Sequence, residues 1–287
     1  MAIVIKTTAL PIIKAALLAL FTASFISGCA TTTKDSLSGV KRSQLLLMPA
    51  SQVTSMSSKT YVQTLKTAEK KHTLNIDLSQ LDRVRTISNK LIGQVTAFRP
   101  DAAQWKWEVN VEKSDQVNAY CMPGGKIMVL SGLIDKLQAT DDELGAVIGH
   151  EIAHALREHG RERMSQAYVQ QFGLQALALF FTKGTSAVAG NASMQAANLG
   201  SQLFFALPNS REQETEADKI GLELSARAGY NPEAAITLWQ KMNAQGEVKS
   251  PEFLSTHPAN ANRINELRAL MPKVRPLYDA AKMGAGR

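Results

Sequence analysis

His150-Glu151-Ile152-Ala153-His154 is the stretch on which the reading of this chain turns. Two imidazoles lie four positions apart, with a carboxylate directly after the first. Four residues of α-helix rotate by about 400°, so both rings leave the same face one turn apart. That placement lets two ring nitrogens share one divalent ion, and two His on one helical face beside a Glu suit Zn²⁺. Glu151 then lies where it can work on water at the ion.

Outward from this stretch the helix is well signalled. Thr140-Asp141-Asp142-Glu143 predicts its start, with Thr140 as N-cap and Glu143 three residues on. Acids in the first turn suit the helix dipole. Leu144, Val147, Ile148, Ile152 and Leu156 recur at helical spacing and predict a buried stripe that contains both His. An imidazole buried there without a partner costs about 1–3 kcal/mol, so the pair calls for one.

A zinc hydrolase needs a third protein ligand and an open position for water. His159 follows His154 by five residues, about 500° along a continuous helix, and is expected off the shared face as a solvated residue. Further on, Ser210-Arg211-Glu212-Gln213 predicts a second capped helix. In Glu212-Gln213-Glu214-Thr215-Glu216-Ala217-Asp218, Glu214 and Asp218 share a face. Glu214 suits a ligand, and Asp218 suits the acceptor for the other N–H of a ligand His. Spacing alone leaves Glu212 and Glu216 open.

Trp105, Trp107, Val109 and Val111 alternate with polar residues and predict a strand. Between Asn118 and Gly132, Pro123-Gly124-Gly125 predicts the turn of a hairpin. Residues 77–98 predict a helix with a stripe from Leu78 to Val95 and a stop at Pro100. A short helix is expected to end at Pro272.

Taken in order, HEIAH, Glu214 to Asp218, and Ser255-Thr256-His257-Pro258 with Arg263-Ile264 resemble the gluzincin proteases of the HtpX, CAAX prenyl protease and BepA/LoiP type, over roughly residues 75 to 272. The resemblance implies a mainly helical α+β fold, with a small sheet or hairpin beside the active-site helix. It implies one Zn²⁺ per chain on His150, His154 and Glu214, with Glu151 as the base and Asp218 behind a ligand His. His257 is implied to lie over the metal, assisting the tetrahedral intermediate or filling the open position at rest. Arg263 is implied to aid the oxyanion or hold that loop. The strand at Asn118-Ala119 is implied to be the edge that pairs with an extended peptide substrate, a mode that tolerates varied sequences.

The first 28 residues read as a signal peptide. Lys6 and Lys14 precede or border an uncharged stretch, Ala15 to Ile26, too short to span about 30 Å of hydrocarbon. Ile26-Ser27-Gly28-Cys29 resembles a bacterial lipobox, which implies lipidation at Cys29, and Ala30 after it favours the outer membrane. Cys121 then has no partner and reads as a buried strand residue. The formal charge of +7 is modest and spread, and no nucleic-acid motif accompanies it.

The expected organisation is a signal peptide over 1–28, a tether or arm over 29–60, the protease domain over 61–275 and a tail over 276–287. Residues 166–207, rich in Ala, Gln, Gly and Leu, read as packing helices joined by a Gly184–Gly190 loop, with a lid over the cleft as the sharper reading. The function expected is a lipid-anchored zinc endopeptidase on the periplasmic face of the outer membrane, acting on misfolded or mis-assembled envelope proteins. The alternative is a chaperone-like assembly factor whose metal site is closed.

Overall fold

The Thr140 signal opens the central element. Thr140 Oγ1 accepts from the Glu143 N–H, the Glu143 carboxylate accepts from the Thr140 N–H, and every residue from Glu143 to Leu156 is buried. A helix buried on all sides is a core helix, and the rest of the chain wraps it. The computed structural model describes residues 29–181, 208–246, 252–257 and 262–284. In chain order these form β1 (Cys29–Ala30), β2 (Gln44–Leu45), α1 (Ala50–Lys70), α2 (Leu78–Ile92), β3 (Glu108–Glu112), β4 (Ala119–Met122), β5 (Lys126–Leu130), α3 (Ser131–Asp135), α4 (Asp141–Leu156), α5 (His159–Phe181), α6 (Arg211–Arg227), α7 (Ala234–Gly246), α8 (Glu252–Thr256) and α9 (Arg263–Gly284). The fold is mainly helical with one small three-stranded sheet, as the motifs imply.

The predicted hairpin is present. β4 pairs antiparallel with β5, Cys121 opposite Ile127. Gly124 and Gly125 both take φ of +84°, which a side chain would resist, so the Pro-Gly-Gly turn needs its glycines. β3 adds parallel to the far side of β5, giving the order β3-β5-β4. The outer edge of β3 is taken by the loop before α2: Asn75 N–H donates to the Val111 carbonyl and Lys113 N–H to that of Thr73. The outer edge of β4 has no strand beside it among the described residues. α1 lies against the sheet, with Tyr61 Oη donating to the Ile127 carbonyl at 2.6 Å.

α4 crosses α6 closely because both are glycine at the crossing. A Cβ on Gly221 would stand 2.8 Å from the His150 Cα and N, and one on Gly149 would stand 2.5 Å from Ser225 Oγ. This approach carries the first turns of α6 to the His face of α4.

Several elements differ from expectation. The helix begun at Leu78 ends at Ile92, capped by Gly93, and short 3₁₀ turns follow at Val95–Ala97 and Pro100–Gln104. Leu78, placed in its buried stripe, is exposed. α9 does not stop at Pro272 but runs through it and Pro276. Both prolines are exposed, so water can meet the carbonyls left without a helical N–H. α1 passes through position 60 and α9 through position 276, so neither expected boundary falls between elements. The Gly184–Gly190 loop and the rest of residues 182–207 lie outside the described residues. No helix among the described residues is long and apolar enough to cross a membrane.

Candidate metal centre

α4 presents His150 and His154 on one face, with their Nε2 atoms 3.0 Å apart. α6, opened by the Ser210–Gln213 capping box, brings in Glu214. Its Oε2 lies 3.4 Å from His150 Nε2 and its Oε1 3.3 Å from His154 Nε2. The segment after α8 supplies His257, whose Nδ1 lies 2.9 Å from Glu214 Oε1 and 3.2 Å from His150 Nε2. One donor atom from each of the four lies within 4.8 Å of every other, and all four residues are buried. His257 sits at the end of α8, its N–H donating to the Phe253 carbonyl and its ring stacked on Phe253.

The groups behind the ligands set where protons sit. His159 Nε2 lies 3.0 Å from Glu216 Oε2, and burial pushes the His159 pKa down to about 4. A neutral His159 donates through Nε2–H to Glu216 and accepts at Nδ1, 2.8 Å from His154 Nδ1. His154, held neutral mainly by burial, therefore donates from Nδ1 and turns a bare Nε2 toward the cluster. On the other ligand, His150 Nδ1 lies 3.0 Å from Asp218 Oδ1. Burial would lower the His150 pKa, but hydrogen bonds to Asp218 and Glu214 raise it to about 9. Burial would likewise raise Glu214, yet the imidazoles packed around it hold it well below the usual carboxylate range.

This donor set fits a divalent cation. Imidazole nitrogens and carboxylate oxygens converge on one point, and the buried Glu214 Oε2 makes no hydrogen bond of good geometry. The raised His150 pKa states the same preference: positive charge is favoured there. Two His and a carboxylate, each ring backed by its own acceptor, match zinc better than a hard, oxygen-seeking ion.

The cluster opens on a cleft of about 280 Å³ whose lining runs from Asn118 and Ala119 on the β4 side to Glu151, His154 and His257. Leu130 N–H donates to the Asn118 carbonyl, so alternation along the ladder turns the main-chain groups of Ala119 and Cys121 away from β5. Glu151 Oε1 is buried with no hydrogen-bond partner, and burial raises its pKa. Arg163 of α5 lines the same cleft and donates to Asn209 Oδ1, with burial lowering its pKa to about 10.

The structure thus brings His150, His154, Glu214, His257 and Glu151 together, with Asp218 one contact behind. Of the two roles implied for Arg263, aiding the oxyanion or holding its loop, the first finds no support in its place. Arg263 is absent from the cleft lining and lies behind Glu214, with Nη1 3.0 Å from Glu214 Oε2, Nη2 2.6 Å from Asp218 Oδ1 and its guanidinium stacked over Trp239. A buried cation there holds two carboxylates in place. His159 is the second correction: it is wholly buried, not solvated. The rotation argument assumed one continuous helix, but α4 ends at Leu156 and Glu158 takes φ of +52°, which turns His159 back toward His154. Of the acids left open, Glu212 is exposed, whereas Glu216 is buried among Arg42, Arg157 and His159. Trp239, Asn209, Arg163 and Arg157 carried no sequence signal, because their partners lie far away in the chain.

The profile of peptidase family M48 matches residues 79–271. The chain is 35% identical over 190 residues to the mitochondrial metalloendopeptidase OMA1 of Saccharomyces cerevisiae, covering 62% of this chain and 52% of that protein. It is 29% identical over 262 residues to metalloprotease LoiP of Escherichia coli, covering 90% of this chain and 97% of that protein. It is 27% identical over 201 residues to the beta-barrel assembly-enhancing protease of Yersinia pestis, covering 67% and 39%. The chain spans about half or less of the length of the mitochondrial relatives it matches.

Proposed function

The chain belongs to peptidase family M48, and on that premise we propose that it is a zinc-dependent endopeptidase whose substrates are extended segments of unfolded or mis-assembled envelope proteins. The observation that carries the reading is the meeting, at one cleft, of a four-donor cluster that reaches it through His154 and His257, a buried Glu151 oxygen without a hydrogen bond and the outer edge of β4. When bound, Zn²⁺ supplies Lewis acidity, polarising a carbonyl and lowering the pKa of water to about 7.

The chain's own residues do the rest. The β4 edge pairs with the substrate main chain through Ala119 and Cys121, with the Asn118 side chain, which accepts from the Ala119 N–H at 2.9 Å, giving way there. Such pairing reads backbone rather than side chains, which suits unfolded clients. Arg163 offers donors to carbonyl oxygens in the cleft. Glu151, its proton affinity raised by burial, accepts a proton from the attacking water and passes it to the leaving nitrogen. Asp218 and Arg263 fix His150 and Glu214, so the ligands need no rearrangement during the reaction.

A second reading is favoured by His257. Its Nδ1 completes the four-donor set, which suits a resting form closed to water and a chaperone-like assembly factor. Full-length protein, its Glu151→Gln variant and an unfolded test protein separate the two. The peptidase reading expects cleavage by wild type and a loss of at least about a hundredfold in the variant, the scale of one acid–base catalyst. Equal, negligible cleavage by both, with the variant still replacing wild type in cells, supports the assembly factor.

The lipobox-like stretch ending in Cys29 supports lipid anchoring at the outer membrane, and the similarity to a beta-barrel assembly-enhancing protease fits an envelope setting. Cys29→Ser is expected to move the protein from the membrane fraction to the soluble one. Unchanged fractionation removes the anchor from the proposal.

A further inference from the structure

We infer that the arm before α1, residues 31–46, is part of the metal centre's frame, with Arg42 as a positioning residue acting on ligand His154 through Glu216 and His159. The inference rests on the zinc reading above.

The chain of contacts is continuous. Arg42 Nε donates to Glu216 Oε1 at 2.8 Å, while its Nη1 and Nη2 grip both oxygens of Glu162 at 2.5 and 2.9 Å. Glu216 Oε2 receives Arg157 Nε at 3.1 Å, Arg157 Nη2 at 3.0 Å and His159 Nε2 at 3.0 Å. His159 Nδ1 then meets His154 Nδ1 at 2.8 Å. Each step is a direct contact, and Arg157, His159, Glu162 and Glu216 are all buried while Arg42 is partly exposed.

The arm also closes the network from outside. Gln44, wholly buried, donates from Nε2 to the Arg157 carbonyl at 2.7 Å and to Glu162 Oε2 at 3.0 Å. Arg157 in turn donates to the Arg42 carbonyl at 3.0 Å and to Thr31 Oγ1 at 3.0 Å. Two carboxylates therefore face two guanidiniums, one from the core helix and one from the arm. Removing Arg42 leaves Glu162 to Gln44 and Gln213, and leaves Glu216 Oε1 without its guanidinium while Arg157 and His159 still hold Oε2. Glu216 then keeps one of the two guanidiniums that orient it, and its hold on His159, which backs the His154 ring, is weakened. Partners behind a ligand His typically set metal affinity by 10- to 100-fold.

A merely structural strap makes a different forecast, so the test reads metal affinity apart from stability. Full-length wild type, Arg42→Ala, Arg42→Lys, Glu216→Gln and Glu223→Gln are compared by chelator competition for Zn²⁺, by the visible spectrum of the Co²⁺ form and by thermal midpoint without metal. Glu223→Gln is the control: it loosens the arm at Ser38, whose N–H donates to Glu223 at 2.8 Å, without touching the path to His154. The expected result is Zn²⁺ affinity weakened by about ten- to a hundredfold in Arg42→Ala and Glu216→Gln, with a shifted Co²⁺ spectrum. Arg42→Lys is expected to regain part of the loss, and Glu223→Gln to stay within about twofold of wild type. Should Arg42→Ala fail to fold, Glu216→Gln carries the same forecast. Affinity unchanged in both variants while midpoints fall overturns the inference and leaves the zinc reading standing. Wild type that binds no Zn²⁺ overturns both.

Discussion

His150 answers to two opposed demands. Burial favours the neutral ring, while Asp218 and Glu214 favour the charged one and win, at a pKa of about 9. The sign of the linkage follows. A pKa raised from 6.5 stabilises the metal-free fold fully below 6.5, and that contribution is lost as pH rises through about 9. Zn²⁺ competes with the same proton, so its affinity runs the other way. Between pH 6.5 and about 9, metal-free protein is expected to lose stability in denaturant titrations while Zn²⁺ binds more tightly in chelator competition. Affinity that stays flat across this window contradicts the assignment of His150. Among single residues, the two ligand His, Glu151 and the Glu214–Asp218 pair were legible because helical spacing is local. His159 was misread for an equally local reason, the left-handed turn at Glu158, which neither glycine nor proline announces.

The elements α4 and α6 were legible from their capping boxes and apolar spacing, but their crossing was not. Gly149 and Gly221 read in sequence as weak points in two helices. In the fold they let two backbones touch, and that contact delivers Glu214 to His150 and His154. Helix propensity alone forecasts that Gly221→Ala stabilises the protein by about 1 kcal/mol. The added methyl would instead meet the His150 backbone at 2.8 Å, where no flexible side chain can yield. Gly221→Ala is therefore expected to destabilise by about 1–3 kcal/mol in urea unfolding, and to weaken Zn²⁺ binding because Glu214 rides on α6. A variant more stable than wild type, with affinity intact, contradicts the wedge. The parallel placement of β3 beside β5 was equally illegible, since strand alternation shows a face and not a neighbour.

Across the whole molecule, the centre joins pieces far apart in the chain: α4, α6, the end of α8, Arg263 at the start of α9 and the arm behind β1. Periodicity cannot report such meetings. Ordered motifs pointed to the meeting of His150, His154, Glu214 and His257, whereas nothing in the sequence around Arg42 and Gln44 names their partners. The arm packs against the domain, with Val40 and Leu46 buried beside its polar network. On the function proposed above, an ion shared by His150, His154 and Glu214 makes these pieces one working site. Zinc content and affinity of the purified full-length protein, set beside those of Glu214→Gln, test this most directly. One tightly held Zn²⁺ per chain is predicted for wild type, with affinity weakened by at least about a hundredfold in the variant, because a first ligand outweighs any partner behind it. A wild-type protein empty of metal, or a variant that holds zinc as firmly as wild type, would contradict the account.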